Sequence, residues 1–248
     1  MTTEIPRGGN LSIAKTVPEA KRVLVALGWS PREGDLEVDS SAFLLGPDGK
    51  VRRDEDFVFY NNPQGEGVEL LPTPSPGAVQ SFQVDLERLS DGVERIAFTL
   101  TLHQAAARGR HFGQLSQAWT ALLEADSGRE IARFTLPLEQ MNETAVICCE
   151  IYRRSGEWKF KAIGQGFVGG LEPLARHYGV IIAAEEPPVS PAPAATPPPP
   201  PPARGATPPP PPGSRPTSGA RPPPPPGSRP PPPPGGRPPA KDDDPWQW

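Results

Sequence analysis

Beyond Glu186 the chain loses the means to fold. Most of its 39 prolines lie there, in blocks at residues 197–202, 208–212, 222–226 and 230–234, divided by segments such as Gly213-Ser214-Arg215 and Gly227-Ser228-Arg229. Such a stretch has almost no apolar surface to offset the entropy of ordering, so it is expected to stay disordered, as polyproline II segments joined by glycine hinges. Folding is thereby confined to about the first three quarters of the 248 residues. That is enough for one sizeable core, because a domain of about 150 residues buries roughly 70% of the surface its unfolded chain exposes. We read residues 1–184 as one domain and 185–248 as a proline-rich tail.

Within the domain, apolar residues recur with period two. Ile96, Phe98, Leu100 and Leu102 alternate along residues 95–103, as do Phe82, Val84 and Leu86 along 81–86, whereas 21–28 is a nearly continuous apolar run suited to a strand buried on both faces. Trp158, Phe160 and Ala162 share a face opposite Glu157, Lys159 and Lys161, which assigns them to the core. Turn residues separate the runs. Gly46-Pro47-Asp48-Gly49 predicts a hairpin between a strand ending at Leu45 and one starting near Val51. Asp126-Ser127-Gly128 predicts a second between 119–125 and 130–136, and Ser155-Gly156 a third between 145–153 and 157–163. Helical signals are confined to 105–108 and 171–178, the latter ended by Gly179. The fold class is mainly β: an antiparallel β-sandwich of two sheets with short helices, followed by the tail.

Charge and motifs exclude several functions. The net charge of −4 and the lack of a basic block argue against a nucleic-acid partner. No apolar run approaches the roughly 18 residues of a membrane span, and no signal-peptide core opens the chain, so a cytoplasmic location with no transmembrane segment is expected. Adjacent Cys148 and Cys149 should point to opposite faces of a strand as reduced core thiols. No G-x-S-x-G, H-E-x-x-H or Walker motif occurs, and His103, His111 and His177 accompany no nucleophile signature, so no enzyme is expected. Gly164-Gln165-Gly166 and Gly169-Gly170 are expected to form a tight connection from the last strand into the terminal helix.

Four groups of residues carry a resemblance. Arg7-Gly8-Gly9-Asn10-Leu11-Ser12-Ile13 precedes the run Val23-Leu24-Val25-Ala26-Leu27-Gly28-Trp29. Asp39-Ser40-Ser41-Ala42-Phe43 leads to Asp56-Phe57-Val58-Phe59-Tyr60-Asn61-Asn62. Residues 98–103 lead to Phe112-Gly113-Gln114, and Glu143-Thr144-Ala145 leads to Gly156-Glu157-Trp158-Lys159-Phe160 and Gly164-Gln165-Gly166-Phe167. In this order, across nearly all of residues 1–180, they resemble the TerD family of tellurium-resistance and bacterial stress-response domains. The resemblance implies a β-sandwich that binds calcium in loops at one end, no enzymatic activity, and association with other Ter-type stress proteins.

Carried over, the family's calcium loops correspond to Glu37-Val38-Asp39 and to Asn61-Asn62; with the nearby acid Asp56 added, Glu37, Asp39, Asp56, Asn61 and Asn62 are the candidate metal ligands. The family's third, acidic loop is replaced here by Glu69-Leu70-Leu71-Pro72-Thr73-Pro74-Ser75-Pro76-Gly77. Calcium takes about six to eight oxygens, and its affinity falls as ligand charge is removed, so at least one site is expected to be lost. Asp35, Asp54 and Glu66 could join the candidates in a single weaker site if their loops converge; the alternative is a solvated acidic loop.

The tail has its own two readings, a spacer or a set of docking sites for an aromatic groove. It ends in Asp242-Asp243-Asp244-Pro245 and then Trp246 and Trp248, read as a short peptide for a protein partner. The alternative function is therefore a calcium-independent adaptor acting through its polyproline tail.

Overall fold

The computed structural model describes residues 2–32, Gly34 and residues 36–181. Asp35, the tail and its Trp246 and Trp248 lie outside the described residues. In chain order the first elements are β1 (Thr3–Glu4), β2 (Asn10–Ser12), α1 (Ile13–Thr16), β3 (Arg22–Pro31), β4 (Val38–Leu45), β5 (Phe57–Val58), β6 (Gln64–Gly65) and β7 (Val68–Leu70). They are followed by β8 (Gln80–Asp85), β9 (Arg95–Leu102), α2 (Ala105–Arg108), β10 (Leu115–Glu124), β11 (Glu130–Thr135), β12 (Ala145–Arg154), β13 (Glu157–Phe167) and α3 (Leu171–His177). A seven-stranded sheet has the order β1-β11-β10-β3-β8-β7-β6, and a six-stranded sheet the order β2-β13-β12-β9-β4-β5. The pairings are antiparallel except β1 with β11. The chain is thus the mainly β, two-sheet protein that its period-two runs predict.

The alternating residues meet between the sheets. Phe82 and Val84 from one sheet and Ile96, Phe98, Leu100 and Phe160 from the other are fully buried in one cluster, with Trp158 partly buried against it. Withdrawing such side chains from water contributes about 1.5–3 kcal/mol each. The opposite face of the six-stranded sheet is also apolar, and α3 covers it: Phe43, Leu45, Ala97 and Ile147 pack with Leu174, Ala175 and Tyr178. On the outer face of the seven-stranded sheet, Trp119, Ala121 and Leu123 pack with Ala78, which follows the proline-rich loop that stands in for the acidic one. That loop is held down at Ser75, whose N–H donates to the buried Ser81 hydroxyl at 2.9 Å.

Three expectations change. Leu45 makes a single bridge to Val51 before the chain turns away, so on the side away from β9 the strand that pairs with β4 is β5, with Ala42 opposite Val58. The Val51 N–H goes instead to the carbonyl of Tyr178 at 2.9 Å, tying the turn to the end of α3. Cys148 and Cys149 do not face opposite ways: the register between β12 and β9 shifts between Ile147 and Cys149, and both thiols lie in the same intersheet cluster. A bulge does this, since it inserts one residue and re-aims the side chains that follow. Gly169-Gly170 does connect β13 to α3, but Gly164-Gln165-Gly166 lies within β13 rather than after it, and Gly164, at φ 66°, sits where β13 shifts register against β12.

Candidate functional site

The β4–β9 register builds the floor of a cleft. Phe43 faces Ala97, Ser41 faces Thr99, and Asp39 faces Thr101, so along one face the sheet passes from apolar through hydroxyl to carboxylate. Alternation makes this possible, because every second residue of each strand returns to the same face. The Ser41 and Thr99 hydroxyls bond each other at 2.7 Å, satisfying two buried polar groups.

Aromatic rings climb out of the sheet beside this floor. Phe43 stacks on Phe57 at 4.5 Å between centroids, Phe57 on Phe59 at 4.6 Å, and Tyr60 meets Phe59 edge-on at 5.4 Å. Phe43 is fully buried, whereas Tyr60 is 66% exposed. The column leaves the core because Phe59 and Asn62 close a tight turn, each donating its N–H to the other's carbonyl at 3.0 Å. The Asn62 amide adds a bond to the Phe57 carbonyl at 2.8 Å. Leu171, Val180 and Ile181 form the facing wall, enclosing a cleft of about 870 Å³.

Its rim is acidic. Asp39, Asp54, Glu55 and Glu172 line it together with His103, and arginines just outside the lining partner two of these acids: Arg176 pairs with Glu172, and Arg53 lies 4.0 Å from Glu55. Asp54 and Glu55 are placed by a short 3₁₀ turn, Asp54–Asp56, that turns the chain into β5.

Of the five candidate ligands, Asp39 and Asn62 line the cleft. Asn61 is exposed at the turn tip. Glu37 lies outside the lining and pairs with Arg108 at 3.2 Å. Asp56 is fully buried and receives two bonds from Arg52, at 2.8 and 3.1 Å, with Arg53 at 3.5 Å. Glu66 belongs to the same arginine network: Ser90, ahead of Arg52, holds its carboxyl down at about 2. The oxygen donors around the cleft have the hardness calcium prefers. Among the described residues, however, no three histidine, cysteine, aspartate or glutamate side chains converge as a metal site, so the donor set does not fit a fully carboxylate-bound ion.

Sequence reasoning missed the cleft's apolar half. Phe57 and Phe59 alternate, with Tyr60 directly after, but that pattern also describes a core strand, and the turn that exposes Tyr60 depends on the Phe59 to Asn62 closure. The histidines have structural partners. His111 Nδ1 lies 2.9 Å from the Met141 carbonyl, and the His177 ring packs against Phe167 and Tyr178.

Comparison with known proteins agrees with this architecture. The TerD domain model matches residues 1–178. The chain is 40% identical over 189 residues to the tellurium resistance protein TerD of Serratia marcescens, covering 73% of this chain and 98% of that protein. It is 35% identical over 190 residues to general stress protein 16U of Bacillus subtilis, covering 73% of this chain and 98% of that one. The fold is shared with a solved homologue of the telluride resistance protein TerD from Streptomyces coelicolor A3(2), at a TM-score of 0.51 and 21% identity, over 66% of this chain and 99% of that chain. With the family model spanning most of its length and a relative this similar, the chain belongs to the TerD domain family.

Proposed function

We infer that this chain is a cytoplasmic, non-enzymatic stress-response protein of the tellurium-resistance type, which acts by binding rather than turnover. Its folded domain takes ligands at the acidic, aromatic cleft, calcium at the Asp39 and Asn62 end among them; its tail recruits a protein partner, and the protein associates with other Ter-type stress proteins. The observation that carries the reading is the joining of Asp39, Asp54, Glu55 and Asn62 in one cleft of the TerD domain. A ligand that binds only the folded state stabilises it by about 2.7 kcal/mol at a hundred times its dissociation constant. The full-length protein should therefore melt higher in excess calcium than in chelator, and Asp39→Ala should abolish the difference.

A second reading is favoured by the arginines. Arg52 and Arg53 neutralise Asp56, and Arg108 pairs with Glu37, so two carboxylates that a calcium loop would need are already committed. On this reading the domain is a calcium-independent scaffold for an adaptor. Equal melting temperatures in millimolar calcium and in chelator would select it.

A further inference from the structure

Among the described residues four large apolar side chains are exposed, Tyr60, Val79, Val168 and Ile181, and two of them, Tyr60 at 66% and Ile181 at 89%, stand on facing walls of the same cleft. Phe59, Leu171 and Val180, each partly buried, extend those walls. The floor between them needs no water. The Ser41 and Thr99 hydroxyls bond each other at 2.7 Å and Thr99 also reaches the Ser41 carbonyl at 3.3 Å, so apolar atoms laid over them leave no polar group without a partner. On the rim, Glu172 is held by Arg176 and Glu55 lies beside Arg53, which weakens any demand for a cationic occupant. Apolar surface gathered in one concave place, on a chain this polar, marks a docking surface.

The chain supplies an occupant at the wall itself. The described residues end at Ile181, which lines the cleft, and the sequence continues Ile182-Ala183-Ala184-Glu185-Glu186 before Pro187 and Pro188. Ile182, Ala183 and Ala184 prolong the apolar run that begins at Val180, and three extended residues span about 10 Å. The two glutamates after them have cations to meet at the rim, where the Arg53 and Arg176 side chains are 55% and 70% exposed.

We propose that Ile182-Ala183-Ala184 folds back as a strap into the cleft of its own chain, covering Tyr60 and the Ser41–Thr99 floor. Tethering selects this occupant. A segment joined to the cleft wall has an effective concentration in the millimolar range, as short linkers give, which a second copy at micromolar concentration does not match. Trp246 and Trp248 are apolar too, but they lie at the far end of the tail, where effective concentration falls with linker length, and the neighbouring Asp242-Asp243-Asp244 is repelled by Asp54. The cleft is then closed at rest, and a ligand of the kind inferred above must displace the strap, so that its apparent affinity is reduced by the open fraction. The strap itself depends on no particular ligand and does not require calcium.

The test is nitration of the full-length protein in chelator, with modification at each tyrosine read by peptide mass spectrometry. Ile182→Asp and the milder Ile182→Ser should each raise the nitration rate of Tyr60 about tenfold, the change expected when the burial of one isoleucine is lost. Ile182→Leu should keep Tyr60 protected. Tyr178, buried under α3, should stay unreactive in every variant and so reports that the domain is folded. A second measurement fixes which chain the strap comes from: Asp54→Cys, at an exposed rim position, combined with Ala183→Cys should be joined by a short bismaleimide within one chain, at a rate independent of protein concentration. Cys148 and Cys149 are wholly buried and do not compete. Equal Tyr60 nitration in the parent protein and both polar variants would overturn the proposal. Links formed only between chains would overturn it as well and make a second copy the occupant. Neither result touches the calcium-dependent melting shift at Asp39, so the strap and the ligand reading fail separately.

Discussion

Glu66 and Glu150 meet opposite surroundings, and their titrations should have opposite signs. Ser90 and then the Arg52 guanidinium hold the Glu66 carboxyl at about 2, below its ordinary 4.5. Its stabilisation is therefore complete above about pH 4.5 and is lost as pH falls towards 2. Glu66→Gln should lower the melting temperature at pH 7 by about 2–4 °C, and the deficit should close on acidification. Burial pushes Glu150 upward against the opposing pull of Arg95 and Lys161, so ionising it costs stability as pH rises through its folded value. Glu150→Gln should raise the melting temperature near neutrality and leave it unchanged in acid. The two cysteines follow the same physics. Burial pushes Cys149 up to about 12 and Cys148 well above the usual thiol range, and both are wholly buried. A thiol-directed electrophile at pH 8 should label neither in the native protein and both in denaturant, because only an exposed thiolate acts as nucleophile.

Among the elements, β9 was fully legible: Ile96, Phe98, Leu100 and Leu102 alternate in sequence and all four lie in the intersheet cluster. The partner of β4 was not legible. Turn chemistry at residues 46–49 placed it at Val51, but Val51 bonds to Tyr178, which is 127 residues away, and no local signal reports that contact. The bulge at Cys148 was equally hidden, because it is a mismatch between strands rather than a property of one. Gly28 shows how tightly the elements meet: a Cβ added there would lie 2.2 Å from the Trp119 ring. Gly28→Ala should therefore overpack the β3–β10 contact and cost about 1–3 kcal/mol in chemical denaturation. The arginine network beside β5 is a stronger constraint. Arg52→Ala would leave Asp56 buried without its main partner, at a cost of about 3–5 kcal/mol.

For the molecule as a whole, strands β4, β9 and β12 contribute one face to the intersheet core and the other to the layer under α3. Neither layer can open alone, so heating should unfold the domain in one transition, with near-ultraviolet and far-ultraviolet circular dichroism changing together. The sequence by itself determined that the domain is two sheets and which residues alternate into the core, because period and turn chemistry act over a few neighbouring residues. It also carried the blocks on which the family resemblance rests. Only the tertiary structure decided the fate of each acid. Asp39 and Asn62 reach the cleft, while Glu37 meets Arg108 across 71 residues and Asp56 is buried against Arg52. A carboxylate's role depends on which charge lies within a few ångströms of it, and in a sheet protein that neighbour is set by strand order and long-range register, which no local stretch of sequence encodes.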